Sequence, residues 1–525
     1  MKIKKILISI ALLTFIVSSC EKDFLETAPT GSLEAGTMFE TIEGAEAAIN
    51  GIYRYMYAFD PVYGNHDAFG QKALHIEMEL MGEHMVGNVL QHGWFGQQYA
   101  WRTHRNADAG MTHLRWLVYY KLILNANNII VNIDNVEATP TQINYIKSQA
   151  LAIRAFSYYQ LVQLYAPAWH VNAEAPAVPL YTEPSQEGHP RASLREVYVL
   201  IDNDLTEAIT LLDGSTRQDH KSHINLPVIH GIAARANLAR GSGPGADNSF
   251  LQAARQHAIN AITLFGANNL YTIADYPAPF DMSEFDGTWQ SYLASEFDRS
   301  TLFNRVASRE WMWGMQVNDE QNTIFASFYS HMDPTEFGYA QLTNQKLISS
   351  GDDGLYHRIA ETDVRRNLWV EPGKGGGPMV PYAQLKFITP ERSSWAADYL
   401  FMRLSEMFLI KAEAEARLGM DNDAAETLLT LLENRDSEYT LSTNTGADLI
   451  EEIMFHRSVE LWGEGLSWMD LKRTGSALNR NNKGHSIGLA AKMEYEADGI
   501  EWLWLIPTAE INANDAISSG DQNPM

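Results

Sequence analysis

Residues 403–433, RLSEMFLIKAEAEARLGMDNDAAETLLTLLE, hold two runs of apolar side chains at three- and four-residue spacing, Arg403 to Leu418 and Asp423 to Glu433, separated at Gly419. That spacing lays the apolar groups along one face of each of two consecutive helices. Ala412, Gly419, Ala424 and Leu428 are small or compact where the faces would meet, which lets antiparallel helices approach closely. Asp421, Asn422 and Asp423 open like a calcium-binding loop but lack its glycine and distal glutamate. They read instead as the turn and N-cap of a helix starting near Ala424.

Working outward, the same pattern recurs. Residues 227–240 and 249–265 form a second pair, its turn lengthened by Gly241-Ser242-Gly243-Pro244-Gly245 and its contact again small, with Ala254, Ala258 and Ala261. Residues 147–165 carry Leu151, Ala155, Phe156, Tyr159 and Val162 on one face and pair with 194–212 across a proline-rich loop. Residues 42–57, with Ile42, Ala45, Ile49, Ile52 and Tyr53 in register, and 113–133 supply a fourth pair. The offsets are tetratricopeptide-like, and four degenerate pairs suffice for a helical-repeat scaffold. The predicted fold class is mainly α: a tetratricopeptide-like helical-pair scaffold with long irregular insertions and minor β.

The insertions are residues 58–110, 266–398 and 476–525, which are rich in Gly, Pro, Asn and aromatics and lack a sustained helical period. Loops of that length in a compact body usually carry function, so the ligand site is expected there. The predicted organisation is a signal peptide at 1–19, a tether at 20–40 and one body at 41–525, with no low-complexity linker dividing it.

The N-terminus sets the compartment. Lys2, Lys4 and Lys5 precede an apolar run from Ile6 to Val17, then Ser18-Ser19-Cys20, the only cysteine in the chain. The run is well short of the ~20 residues that a membrane-spanning helix needs, and it reads as an export signal. Cys20 placed directly after it resembles the lipobox of bacterial lipoproteins, whose acylated thiol becomes the first residue of the mature chain. Several acyl chains on one residue anchor stably where a single chain does not. Removing residues 1–19 takes away three lysines and no acids, so the net charge moves from −26 to −29. Such a field repels polyanions, and no basic stripe is present to displace counterions, so nucleic acid is excluded as a partner. An exported chain without a second cysteine has no disulfide and must rest on an apolar core, for which its 45% hydrophobic content is sufficient.

Chemical motifs give little support for catalysis. Gly484-His485-Ser486-Ile487-Gly488 fits G-x-S-x-G, but residues 477–483 are polar where a nucleophile elbow needs a buried strand, and no histidine follows Ser486. Gly373-Lys374-Gly375-Gly376-Gly377 fails the phosphate-loop pattern at residue 368, a leucine, and no Ser or Thr follows Lys374; it reads as a mobile turn. His220 and His223, beside Asp219, read as solvated loop histidines, with no further metal ligand indicated. No glycosidase pair can be named, because that mechanism depends on a spatial separation of two carboxyls. No catalytic residue, metal or cofactor is predicted.

Aromatics in the irregular segments are the useful signal. Sugar rings present flat C–H faces that lie against indole or phenol rings, beside hydrogen-bonding groups. Trp94, Trp101, Trp289, Tyr292, Tyr339 and Trp395 meet that description, near Gln97, Gln98, Asn106, Asp286, Gln290 and Asn344. Trp462 and Trp468 read as packing, and Trp311 and Trp313 alternate as on a strand. Arg102 and Arg105, close to Trp101, are the positions to watch for an anionic ligand.

Several motifs in order resemble the SusD/RagB family of nutrient-binding outer-membrane lipoproteins. Cys20 followed by EKDFLE resembles its lipidated, acidic start, Ala45 to Tyr53 (AEAAINGIY) its first helix, and Ala150 to Tyr165 (ALAIRAFSYYQLVQLY) a central segment in which Gln149 and Ala166 replace the usual Glu and Gly. Glu452 to Thr474 matches at Arg457, Glu460, Leu461, Glu464, Gly465, Asp470, Leu471 and Arg473, with His456 and Ser467 where Glu and Arg are usual. The tail matches at Ile506-Pro507, Glu510, Ile511, Asn514 and Gln522-Asn523-Pro524. The resemblance implies a SusD-like fold, helices packed on a SusC-like TonB-dependent outer-membrane barrel, and non-catalytic capture of an oligo- or polysaccharide at the cell surface by a lipid-anchored protein. A peptide-binding, RagB-like capture protein and a tetratricopeptide-type assembly scaffold are the alternatives.

Overall fold

A computed structural model describes residues 38–59, 64–89, 92–215, 220–245, 247–299, 302–319, 325–342 and 344–525. Cys20, the signal segment and most of the tether lie outside them. In chain order the helices that matter here are α1 (Ile42–Tyr55), α2 (Gln71–Met81), α3 (Gly110–Asn132), α4 (Pro140–Tyr165), α5 (Leu194–Leu211), α6 (Leu226–Gly241), α7 (Asn248–Phe265), α8 (Trp289–Ser295), α9 (Tyr339–Leu342), α10 (Leu404–Arg417), α11 (Asp421–Leu432), α12 (Gly446–Glu460) and α13 (Ser467–Thr474). α1 lies on α3 and α4, α3 on α4, α4 on α5, α6 on α7, α7 on α10, and α10 on α11 and α12, which makes a continuous stack of helical pairs.

Local chemistry explains where the helices start. α4 begins seven residues before the periodic run at 147, because Thr139 and Gln142 form a capping box and Pro140 fills the first turn. Ser193 and Glu196 open α5 in the same way. Small residues set the spacing between elements: Ala254, Ala258 and Ala261 of α7 are wholly buried, and Gly231 lets α6 lie close against Met402 of the strand Tyr399–Arg403. α11 starts at Asp421 and not near Ala424; Asp421 and Asp423 sit in its first turn, where carboxylates complement the helix dipole. α2 falls within the segment expected to be irregular. All eleven of its residues are buried, so it carries no amphipathic stripe.

The described strands form four antiparallel pairs: β1 (Met85–Gly87) with β5 (Lys346–Ile348), β2 (Pro176–Pro179) with β3 (Arg191–Ser193), β4 (Trp311–Met315) with β6 (Tyr399–Arg403), and β7 (Leu478–Asn479) with β8 (Glu494–Tyr495). Trp311 and Trp313 are fully buried on β4.

A buried ion network joins the sheet to the helical stack. Arg403, at the end of β6, meets Glu310 at 2.8 Å, Glu460 at 2.6 Å and Glu464 at 2.9 Å. Arg435 meets Glu310 at 3.1 Å and Glu460 at 2.9 Å, Arg365 meets Glu460 at 3.1 Å, and Lys386 meets Glu464 at 2.7 Å. The remaining motif charges are also paired: Arg457 with Asp470, and Arg473 with Asp470 and Glu413. The motif at 457–473 is therefore a scaffold of buried charges. His456, which replaces the usual Glu, lies 3.1 Å from the guanidinium of Arg365.

Candidate ligand-binding surface

Two aromatic groups are built from the irregular segments, and one of them lines a cleft. The first is gathered around Tyr339, at the start of α9. Its ring lies 6.2 Å from Trp94, 5.8 Å from His66, 5.5 Å from His92, 5.4 Å from Phe325 and 4.8 Å from His331. Left-handed φ values at His92 (69°), Gly93 (77°) and Phe95 (62°) turn the 92–95 loop, and Trp94 stacks on His66 at 5.3 Å. Trp94 is partly exposed, Phe337 is 53% exposed, and Tyr339 at 8% lies beneath them.

Buried polar groups hold this cluster in place. Asn344 Nδ2 donates to the Trp94 carbonyl at 3.2 Å, and Lys346 Nζ donates to both the carbonyl (2.7 Å) and the side-chain oxygen (2.9 Å) of Asn344. Burial pulls the Lys346 ammonium down to about 7. Trp395 is the buttress beneath: a Cβ at Gly338 would lie 2.4 Å from its Cη2, so only glycine lets the 337–339 segment rest on that indole.

The second group is built on α8. Thr288 caps the helix, and Trp289, its first residue, lies against the backbone of Gly377. A Cβ there would fall 2.4 Å from Trp289 Cδ1, and Gly377 has φ +60°. Gly376 faces Met282 in the same close way, and Lys374 is held by Asp281 at 2.7 Å. The glycine run expected to be a mobile turn is thus the tied seat of an indole. Tyr292 is half-buried against Phe280 (5.1 Å) and Phe285 (5.3 Å).

Asn88, Val89, Trp289, Gln341, Leu342, Gln345, Gly377 and Pro378 line a cleft of about 430 Å³, to which α9 of the first group gives Gln341 and Leu342 and the second group gives Trp289. The pairing of β1 with β5 brings Asn88 beside Gln345, and Gln345 donates to the Pro378 carbonyl. Among the described residues this lining carries no charged side chain. Amides that both donate and accept, beside a partly exposed indole, suit a neutral polyhydroxylated ligand.

The other expected residues lie elsewhere. Trp101 is 3% exposed, stacked on Tyr495 at 4.2 Å with Trp502 edge-on at 4.9 Å, and its indole N–H donates to the Met81 carbonyl. Arg105 binds the carbonyls of Ile500, Leu503 and Pro524, clasping the C-terminal tail. Gln98 is buried on Asp67. Ser486 precedes a one-turn helix (Ile487–Ala490), and His485 bonds Tyr99 and the Glu83 carbonyl, so no nucleophile elbow forms. His220 bonds Ser222 and His223 bonds Asn50, while Asp219 lies outside the described residues. Asn88, Gln341, Gln345, His92 and Phe337 are residues of this region that sequence reasoning missed; single amides and a lone Phe in a loop carry no periodic or motif signal.

Two family models match the chain, one described as starch-binding associating with outer membrane over residues 23–240, the other as the SusD family over residues 373–525. The chain is similar to SusD-like protein P2 of Formosa agariphila, 30% identical over 510 residues that cover 90% of this chain and 91% of that protein. Its fold is similar to that of a SusD-like carbohydrate binding protein from Bacteroides vulgatus, with TM-score 0.74 and 24% identity, covering 93% of this chain and 99% of the other. A laminarin binding SusD-like protein also shares it, with TM-score 0.61 and 18% identity over 93% of this chain and 100% of the other.

Proposed function

This chain belongs to the SusD family, and on that premise we propose that it captures a neutral oligo- or polysaccharide without cleaving it, at the surface running from Trp94 and Phe337 to Trp289. The observation that carries the reading is the uncharged cleft of about 430 Å³, walled by amides and by an indole seated on glycine. An indole offers a rigid face to a sugar ring, and the amides offer donors and acceptors to its hydroxyls. Glycoside hydrolysis needs two carboxyls flanking the bond; the described lining of this cleft holds none, which supports capture over cleavage.

In the same reading Cys20 is acylated, the lipid holds the protein to the outer membrane at the cell surface, and the bound glycan passes to a SusC-like TonB-dependent barrel. No helix of the described residues is long and apolar enough to cross a membrane, which accords with a lipid anchor. A glycan array probed with the chain lacking residues 1–20, with laminarin oligosaccharides among the probes, tests the ligand class. Saturable binding to a neutral glycan is expected, whereas binding confined to peptides, or to neither class, overturns it.

A further inference from the structure

A second cleft, of about 310 Å³, opens between α12, α13, the end of α2 and the 353–358 segment. We propose that it takes a small molecule presenting a carboxylate to Arg457 and an apolar body to the floor formed by Met454, Leu461, Leu466 and Leu471. The site is separate from the sugar-capture surface and does not depend on that reading.

The volume falls in the range of small-molecule pockets, about 300 to 1,000 Å³. Arg457 lines the cleft and is 3% exposed; its Nε donates to Asp470 at 2.7 Å, but its Nη1 has no partner. A buried guanidinium N–H without an acceptor is a vacancy that a ligand oxygen would fill. The acids around it are already engaged. Glu79 accepts from the backbone N–H groups of Gly465 and Leu466, at 2.8 and 2.9 Å. Glu83 is held by Lys483, Asp353 by Asn482 at 3.1 Å, and Asp470 by Arg457 and Arg473. Glu451, on the rim, faces Arg358 at 3.7 Å.

Of the other cations, Arg417 is bound to Glu413 at 2.8 Å, and Arg358 lies over the Phe455 ring at 4.6 Å. His84, whose Nδ1 also lacks a partner, is kept neutral by burial, with a pKa pulled down to about 3. Arg358 is half exposed on the rim, so Arg457 is the buried cation of the cleft with an unmatched N–H, and a guanidinium matches carboxylate geometry better than a point charge does.

Occupancy is read by calorimetric titration. The full-length chain in detergent is titrated with N-acetyl-L-leucine and N-acetyl-L-phenylalanine, and with the uncharged amide of each. Saturable, millimolar or tighter binding of the acids, at least about tenfold stronger than of the amides, is expected. Arg457→Lys keeps the charge but loses the fork and should weaken the acids about tenfold. Ser458→Trp, at a half-buried position on the wall, leaves Arg457 in place and should abolish binding by filling the space. No saturable binding of either acid to the unaltered chain, equal binding of acid and amide, or undiminished binding in both variants overturns the proposal.

Discussion

Gly377 and Glu460 show how single residues set this molecule's properties. Gly377 supports Trp289 only because it has no side chain: valine there would drive a methyl into the indole and strain a left-handed backbone. Gly377→Val should lower glycan affinity about tenfold or more while the melting temperature of the body changes little, read by calorimetric titration beside a thermal melt. Glu460 carries the opposite lesson. Its carboxylate faces Arg403, Arg435 and Arg365, which hold it well below the usual carboxylate range against the desolvation of burial. Glu460→Gln removes that charge from three buried cations and should cost about 3–5 kcal/mol of stability in denaturant melts. Trp289 was visible in the sequence as a loop aromatic, but its seat was not, because nothing local distinguishes a glycine run that an indole covers from one that turns freely. Trp101 and Trp395 have the same local chemistry as Trp94. Their burial depends on Tyr495 and Gly338, partners far away in the chain.

Among the elements, the amphipathic helices were legible because half-buried faces leave a period, and the capping boxes at Thr139 and Ser193 set their true starts. Thr139→Ala should cost about 1 kcal/mol, measured as a shift in the denaturation midpoint with the slope unchanged. The 457–473 motif was legible as a pattern of charges, and the structure gives the pattern its reason: Arg457, Glu460, Glu464, Asp470 and Arg473 are all ion-paired at or near full burial. α2 was illegible. Gln71, Lys72, His75, Glu77 and Glu79 are polar yet buried on every side, and only tertiary partners explain them. The cleft residues Asn88 and Gln345 meet through the β1–β5 pairing, a contact between segments more than two hundred residues apart.

For the whole molecule, buried titratable groups make stability rise with pH on both sides of neutrality, through lysines above it and through histidines and carboxylates below it. Burial pulls Lys72, Lys346 and Lys472 down to about 7. Between that value and the unfolded lysine range near 10.4 the unfolded chain binds more protons, so stability rises with pH until buried tyrosines, pushed up by burial, oppose it above about 10. On the acid side His84, His104 and His485 stay neutral to about 3, and their arginine and lysine partners hold Glu460 and Glu464 below their usual range. The unfolded chain again binds more protons, so stability falls from about pH 6.5 downward. Glu77, lifted to about 7 by burial, opposes part of that fall between about 4.5 and 7. Thermal melts should show the midpoint climbing from pH 7 to 9 and dropping below pH 6, and Lys346→Met should flatten the alkaline rise.

In the proposed capture surface Trp289 lines the uncharged cleft, and Trp94 packs against Tyr339, whose helix supplies Gln341 and Leu342 to the same lining. Calorimetric titration of the best-binding neutral glycan into the unaltered protein, Trp289→Ala and Trp94→Ala tests this most directly. A loss of about tenfold or more in each variant, with the fold intact by circular dichroism, is the predicted result. Undiminished affinity in both variants would contradict it.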